Sequence, residues 1–200
     1  MLPFLIIFTV FIITLSLQLK KNTSDQQQVH EEFWKKERLA NNTRKQDISK
    51  LDYVHIPWEE LPQNLDTPSE QAFWNLKEKQ ILNLTGLSNT DLKLQYGVAN
   101  LTQLTEYDTN FIEMVSLLPT YAKELIDAGY IENGKILLEF GISCKADSKR
   151  IYIMLADIYK EAGETSKIAE LKEQAKLLPE LQKQIIIKEL DTYLNESRES

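Results

Sequence analysis

Few residues in this sequence have the types and the spacing that catalysis or metal binding requires. The two histidines, His30 and His55, lie far apart in the chain, and the single cysteine is Cys144. A protein zinc site needs four such ligands at short, recurring spacings, so we expect no metal site. The sequence also lacks a Gly-rich phosphate loop, an H-E-x-x-H motif and a G-x-S-x-G motif. We therefore predict that the protein is not an enzyme and binds no cofactor.

The composition favours a helical globular domain. Hydrophobic residues make up 42% of the 200 residues and charged residues 26%, which is enough for a buried core. Only six Gly and six Pro are present, too few for the many turns of a sandwich or barrel of short strands. The net charge of -7 argues against nucleic-acid binding, which rests on clustered cations. We predict an all-α fold.

The N-terminal segment has the features of a membrane anchor. No charged side chain precedes Lys20, and the apolar run is about 27 Å long as a helix, close to the thickness of a bilayer core. A positive leader region and a small-residue cleavage site are missing, so we predict an uncleaved transmembrane helix over 1–21. The cations nearest to the uncharged run, which ends at Leu19, all follow it: Lys20, Lys21, Lys35, Lys36 and Arg38. This distribution predicts a single-pass protein of the cell membrane whose soluble part faces the cytoplasm.

Five N-x-S/T triplets support the opposite orientation. They begin at Asn22, Asn41, Asn83, Asn100 and Asn195. Such triplets are glycosylation acceptors in a secretory pathway, although they also arise by chance in an Asn-rich chain. An extracytoplasmic envelope-assembly or structural factor is therefore the alternative to a cytoplasmic protein.

Residues 22–66 are predicted to form a juxtamembrane helix and an extended strap. The helix is either a solvated spacer or a surface helix that touches anionic headgroups through Phe33 and Trp34. The strap carries Pro57 and Pro62, and Pro68 follows it, so a continuous helix is excluded there. Its apolar side chains either pack along the helical domain or form a linear motif for a partner.

Residues 67–200 are predicted to be the helical domain. Thr67, Pro68 and Glu70 form a helix start, and we expect this helix to end near Gly86. A short helix capped within residues 89–91 should end at Gly97, and a longer one should open at Asn100. That longer helix carries an apolar stripe, and Pro119 either kinks it or begins a new helix. The stripe consists of Leu101, Leu104, Tyr107, Phe111, Met114, Val115 and Leu118.

The C-terminal half of the chain repeats itself at an offset of 34 residues. The matched pairs are Leu118 with Tyr152, Tyr121 with Leu155, Ala122 with Ala156, Leu125 with Tyr159, Gly129 with Gly163, and Gly141 with Ala175. This pattern resembles the tetratricopeptide repeat, a pair of antiparallel helices that stacks on its neighbours. The resemblance covers about 115–179, and a final amphipathic helix over 180–195 is expected to cap the stack. A generic helical bundle is the alternative.

The match departs from the family pattern at four positions. Gly134 and Ile168 stand where the family prefers alanine, Ala146 where it prefers proline, and Lys172 where it prefers an aromatic residue. The capping, the juxtamembrane charges and the strap also resemble a group of uncharacterised bacterial membrane-anchored helical proteins. That second resemblance brings no activity with it.

The tetratricopeptide resemblance implies a binding surface on the first helix of each repeat. The corresponding residues are Lys123, Ile126, Asp127, Arg150, Ile153, Asp157 and Lys160. A surface of mixed charge with two isoleucines suits an extended segment or a short helix of a protein partner. The alternatives are that these side chains are simply exposed or that the strap covers them. We therefore predict a membrane-anchored protein-protein interaction or scaffold module, whose partner is a protein.

Overall fold

The computed structural model describes the backbone of residues 2–62 and 65–199, while the side chains at 2–10, 13, 17, 19, 21–25, 181 and 196–199 lie outside its description. Every regular element in the described part is helical, which confirms the all-α class. The α-helices are α1 (Leu2–Asn41), α2 (Pro68–Trp74), α3 (Asn89–Tyr96), α4 (Leu101–Asp127), α5 (Ile131–Ser143), α6 (Lys149–Glu161), α7 (Thr165–Ala175) and α8 (Glu180–Glu199).

The chain forms two compact units. Unit 1 consists of Met1–Ile48 and Leu87–Leu101, and it contains α1 and α3. Unit 2 consists of Ser49–Gly86 and Thr102–Ser200, and it contains α2, α4 from its second residue onward, and α5 to α8. The predicted helical repeats therefore all lie in unit 2.

The α1 helix is continuous from Leu2 to Asn41, so the predicted juxtamembrane helix is the second half of one long element. Within the part of the chain that the structure describes, no helix is long and apolar enough to cross a membrane. The segment for which we predict the span, 1–21, falls largely on side chains outside that description. The transmembrane span stays a prediction.

Unit 1 holds the end of α1 against α3. Ala40 and Leu92 are buried there. Lys36 forms an ion pair with Asp91 at 2.8 Å. Beside it, Glu37 accepts hydrogen bonds from Thr90, at 2.7 Å, and from Lys93. Apolar contact and two neighbouring ion pairs thus fix the C-terminal turns of α1.

The N-cap of α3 differs from the predicted one. Ser88 is the N-cap, and its hydroxyl accepts a hydrogen bond from the Asp91 amide at 3.2 Å. The predicted cap lay within residues 89–91, which is wrong by one or more positions. Gly97 ends the helix with φ of +83°, and a Cβ there would lie 2.5 Å from the Arg44 carbonyl oxygen. Glycine is required at this position for both reasons.

From Ser49 onward the strap lies in unit 2, where its described part is irregular or extended between a turn at 49–50 and the 3-10 turn Trp58–Glu60. Ile56 and Leu61 are buried in the same core as the repeat helices. Packing along the helical domain is therefore the alternative that the structure confirms. The predicted helix start is also confirmed, because the Thr67 hydroxyl accepts from the Glu70 amide at 3.1 Å and Pro68 is the first helical residue.

The prediction that this helix extends to about Gly86 is wrong, since α2 ends at Trp74. Residues 75–79 form turns with local hydrogen bonds, and the backbone at residues 81 and 82 bonds to distant residues. The Ile81 carbonyl accepts from the Val54 amide at 2.9 Å, and the Leu82 amide donates to the Tyr107 carbonyl at 3.2 Å. Ile81, Leu82 and Leu84 are buried in this extended form. Tertiary burial and long-range hydrogen bonds replace the predicted helical turns.

Helix α4 is the longest element of unit 2 and provides much of its core. Pro119 lies inside it, so no new helix begins there. Of the predicted stripe, Leu104, Phe111, Met114 and Leu118 are buried, while Leu101, Tyr107 and Val115 are half-buried.

The helices after α4 stack in order. Helix α5 approaches α4 closely at Gly134 and Gly141, α6 packs on α5, and α7 packs on α6. Helix α8 packs on both α6 and α7, as a capping helix is expected to do.

Candidate functional site

The two predicted repeats have the same turn geometry. Gly129 and Gly163 both adopt left-handed conformations, with φ of +91° and +73°. In the first turn the Tyr130 amide donates to the Leu125 carbonyl at 2.8 Å. In the second, the Glu164 amide donates to the Tyr159 carbonyl, also at 2.8 Å. The 34-residue offset in the sequence therefore corresponds to a repeated backbone hydrogen-bond pattern.

The paired apolar positions are also equivalent in burial. Both members of each predicted pair that precedes the glycines are buried: Leu118 and Tyr152, Tyr121 and Leu155, Ala122 and Ala156, and Leu125 and Tyr159. Gly141 and Ala175 are buried as well. Small side chains thus recur where helices approach closely, and large ones recur where they fill the space between helices.

The strap and α2 cover the open face of the first repeat. The Tyr121 hydroxyl donates to the Pro62 carbonyl at 3.1 Å, and its ring lies 5.2 Å from that of Phe73. Thr67 donates to the Glu124 carboxylate at 2.6 Å. Burial raises the pKa of Tyr121, and the negative charges of Glu70 and Glu124 act in the same direction. At the other end of the stack, α8 covers the second repeat.

We call the predicted binding residues the inner surface: Lys123, Ile126, Asp127, Arg150, Ile153, Asp157 and Lys160. The first three lie on α4 and the other four on α6. The strap contacts described above involve Tyr121 and Glu124, which are not members of this set. The charged members are exposed, and the two isoleucines are half-buried. The inner surface is therefore an exposed charged face with two apolar side chains recessed between its charges.

Two contacts organise the α4 side of the inner surface. Lys123 and Asp127 form an ion pair one turn apart, at 2.6 Å. Ile126 packs toward α5, because a Cβ on Gly134 would lie only 2.6 Å from its Cγ1 atom. The close approach at Gly134 leaves no room for a Cβ atom at this position unless Ile126 or the backbone shifts.

Arg150 connects the two helices of the inner surface. Its guanidinium donates a hydrogen bond to the Thr120 hydroxyl on α4 at 3.1 Å. A hydroxyl is a neutral acceptor, so this contact positions the guanidinium without neutralising its charge. The geometry leaves Arg150 able to bind an additional acceptor from a partner.

Tyr193 of α8 extends the inner surface onto a third helix, although the repeat pattern does not predict this residue. Its hydroxyl donates to Asp157 at 2.5 Å, and the Lys160 ammonium lies 5.5 Å from its ring centroid. Residue 193 is 34 positions after Tyr159, but Tyr159 is a core position of the repeat, so the offset alone does not predict a surface role for Tyr193. The inner surface thus spans α4, α6 and α8.

The described residues offer little to catalysis. Among them, no group of three or more His, Cys, Asp or Glu side chains could hold a metal ion. Cys144 is half-buried, and burial raises the pKa of its thiol to about 11, which disfavours a reactive thiolate. The chemistry that the inner surface supports is noncovalent recognition through charge and apolar contact.

Comparison with protein-family models, with curated proteins and with solved structures gives no significant match.

Proposed function

We propose that this protein is a membrane-anchored interaction module that binds a segment of a partner protein on its inner surface. The observation that carries the proposal is the set of side-chain contacts that join α4 to α6 and α6 to α8, so that Lys123, Arg150 and Tyr193 lie on alternate helices of one stack. A row of polar groups on alternate helices can bind an extended or helical peptide.

The chemistry of the inner surface supports a polar partner segment with apolar contacts. Ile126 and Ile153 are half-buried, so each can gain contact area at little cost in ordering its side chain. Ionic groups of both signs lie around them: Lys123 and Asp127 on α4, Arg150 and Asp157 on α6. Mixed charge favours one orientation of a bound segment over its reverse.

The mechanism that we propose is tethering. The uncharged segment that precedes Lys20 anchors the chain in the cell membrane, and the Lys and Arg residues after it keep the soluble part in the cytoplasm. Confinement at the membrane raises the effective concentration of a weakly bound partner. In this proposal the tetratricopeptide-like stack binds the partner protein, while α1 holds the chain at the membrane.

A crosslinking pull-down with the full chain tests this proposal. Arg150→Glu should release a protein that the wild-type chain captures, because the substitution reverses a charge on the inner surface. Lys123→Ala should weaken the capture of the same protein.

Lys176→Ala is the matched control. Lys176 is also exposed and also forms one ion pair with a residue close in sequence, Glu173 at 2.6 Å, but it follows α7 outside the inner surface. Equal retention of the captured protein by Arg150→Glu, Lys123→Ala and the control would reject the inner surface as the binding site. A topology reporter at the C-terminus that is active only outside the cytoplasm would reject the proposed orientation.

A further inference from the structure

Asn133 is the only asparagine in the sequence that is followed by glycine, and it lies where the strap meets the start of α5. Its side-chain amide donates a hydrogen bond to the Glu60 carbonyl at 2.6 Å, across 73 positions of sequence. Asparagine before glycine is prone to deamidation, because glycine has no Cβ atom to hinder attack by its amide nitrogen. One contact between the strap and α5 is therefore made by a side chain that can change chemically.

Deamidation of Asn133 needs only water as a co-reactant. The Gly134 amide nitrogen attacks the side-chain carbonyl carbon of Asn133, and ammonia leaves with the proton that the Gly134 nitrogen has lost. Water then opens the resulting succinimide ring at one of its two carbonyls, which gives either aspartate or isoaspartate. Each conversion consumes one water, releases one ammonia and leaves one new carboxylate.

Two hydrogen bonds restrain this reaction in the folded chain. The Gly134 amide donates to the Tyr130 carbonyl at 3.0 Å, and the half-buried Asn133 amide donates to Glu60. The Tyr130 bond is in the first turn of α5, where the N-cap residue makes no side-chain cap hydrogen bond. The ends of helices open at little cost in free energy, and a missing cap lowers that cost. The strap contact is therefore the restraint that can control the rate.

The product cannot restore the contact with the strap. A carboxylate has no N–H group, so at position 133 it would face the Glu60 carbonyl oxygen as a second acceptor. Its negative charge would also lie next in sequence to that of Glu132. Deamidation therefore removes this attachment of the strap permanently.

The isoaspartate product also affects the inner surface. It lengthens the main chain by one methylene group directly before Gly134. A Cβ at Gly134 would lie 2.6 Å from Ile126 Cγ1 and 3.0 Å from the Ala122 carbonyl oxygen, so the packing has no room for a longer backbone. Ile126 is a member of the inner surface, and its side chain must move when the backbone beside it does.

We propose that Asn133 is a deamidation site controlled by the strap, and that its conversion releases the strap from α5 and displaces Ile126. The three parts of the site, Glu60, Asn133 and Gly134, all lie in unit 2. The proposal does not depend on the binding of a partner, because the reaction involves only this chain and water.

Mass-spectrometric peptide mapping of the folded full chain, incubated at mildly alkaline pH, tests the site. Asn89 is the control, because it is also in the first turn of a helix and is exposed, but it is followed by Thr90. Aspartate and isoaspartate should accumulate at position 133 at least about tenfold faster than at position 89. A rate at position 133 no greater than that at position 89 would overturn the site.

A pair of tyrosine variants tests the control by the strap. Tyr121→Phe removes the hydrogen bond to the Pro62 carbonyl, which loosens the strap without changing α5, and should raise the rate at position 133 about threefold. Tyr159→Phe removes a hydrogen bond to Glu139, away from the strap, and should leave that rate unchanged. Equal rates in the wild type and the two variants would overturn the control by the strap.

A glutamate-specific protease tests the release of the strap, since Glu59 and Glu60 are both exposed. Asn133→Asp carries the charge of the product and should be cleaved there about fivefold faster than the wild type, whereas Asn133→Gln keeps an amide donor and should stay within about twofold. Equal cleavage of the three chains would overturn the release. During incubation of the wild type, the NMR signal of the Ile126 methyl groups should shift in step with isoaspartate formation, and an unchanged signal would overturn the effect on the inner surface.

Discussion

The hydroxyl of Tyr193 on α8 donates a hydrogen bond to the carboxylate of Asp157 on α6 across 2.5 Å. This contact joins the last helix to the charged face of the second repeat. The Tyr193 ring also lies beneath the Lys160 ammonium. The capping helix therefore takes part in the candidate binding surface in addition to covering the end of the core.

Tyr193→Phe removes the hydrogen bond to Asp157 and keeps the ring. We expect the free energy of unfolding to fall by less than about 1 kcal/mol, because the bond is exposed to water. Tyr193→Ala should cost about 1–3 kcal/mol, since the half-buried ring also packs against the core cluster. Urea denaturation followed by circular dichroism measures both changes. Equal losses for the two variants would show that the hydroxyl, rather than the ring, provides the stability.

Gly134→Ala and Gly141→Ala should differ in effect although both glycines lie in α5. A Cβ at Gly134 would lie 2.6 Å from Ile126 Cγ1 and 3.0 Å from the Ala122 carbonyl oxygen. The backbone cannot yield easily, so we expect a net loss of about 1–2 kcal/mol despite the better helix propensity of alanine. At Gly141 the nearest atoms are side-chain methyls at 3.1 Å and beyond, and we expect a change within about 0.5 kcal/mol. Thermal or urea unfolding compares the pair, and a reversed order would contradict the proposed close approach of α5 and α4.

Asn100→Ala should destabilise unit 1 by about 1–3 kcal/mol, because it removes a fully buried side chain and both hydrogen bonds that its amide donates. The Asn100 amide donates to the Gln46 carbonyl at 2.8 Å and to the Tyr96 carbonyl at 2.7 Å, and the side chain is fully buried. Hydrogen exchange at the amides around α3 measures the effect. Gln103→Ala, at a nearby exposed position, is the control, and equal exchange rates in the two variants would contradict the structural role of Asn100.

The same contact bears on the glycosylation triplets. A glycan at Asn100 would require the buried amide nitrogen, so the triplet there is incompatible with the folded unit 1. When the chain is directed into a glycosylating secretory pathway, we expect the folded chain to carry no glycan at Asn100. A correctly folded chain that carries a glycan at Asn100, detected by mass spectrometry, would contradict the described packing.

Asp91 should titrate at unusually low pH. The ion pair with Lys36, followed by hydrogen bonds from Ser88, lowers the pKa of Asp91 to about 2. A lowered pKa in the folded state means that the ionised carboxylate stabilises unit 1 above about pH 4, and this contribution is lost as the pH falls toward 2. Carbon NMR of the carboxyl group measures the titration. Lys36→Met should raise the pKa, whereas Lys35→Met, one residue away, should leave it unchanged.

Cys144 should react slowly with thiol reagents in the folded protein. Burial raises the pKa of its thiol to about 11, and the charge of Asp52 acts in the same direction. At neutral pH the thiolate fraction is therefore about 10²-fold below that of an unperturbed thiol. Maleimide labelling with and without urea measures this difference. Labelling at the same rate in both conditions would contradict the burial of the thiol.

The sequence predicts those features of unit 2 that depend on local chemistry. Gly129 and Gly163 end their helices because a left-handed conformation favours glycine, and this preference is visible in the repeat. The helix start at Thr67 is likewise predicted from nearby residues, namely Thr67, Pro68 and Glu70. The sequence does not single out Ser88, because Asn89, Thr90 and Asp91 are also favoured at helix N-caps. Only the reciprocal hydrogen bonds between Ser88 and Asp91 in the structure identify Ser88 as the cap.

Features that depend on distant residues could not be predicted in this way. The segment after Trp74 has helical spacing, yet its backbone groups bond to Val54 and Tyr107, which are 20 or more residues away. Local propensity cannot detect such partners. Of the candidate site, the α4 and α6 residues follow from the repeat offset. Tyr193 requires knowing that α8 packs on α6, which depends on the fold as a whole.

The identical hydrogen bonding of the turns at Gly129 and Gly163 has a consequence for the length of the array. Each turn reverses the chain direction with the same hydrogen bond. An in-frame duplication of the segment from 115 to 148 would therefore add one more helical hairpin between the existing ones. The strap and α8 would still close the two ends. A protein built in this way can be lengthened by engineering, and each added hairpin would enlarge the area available to a longer ligand.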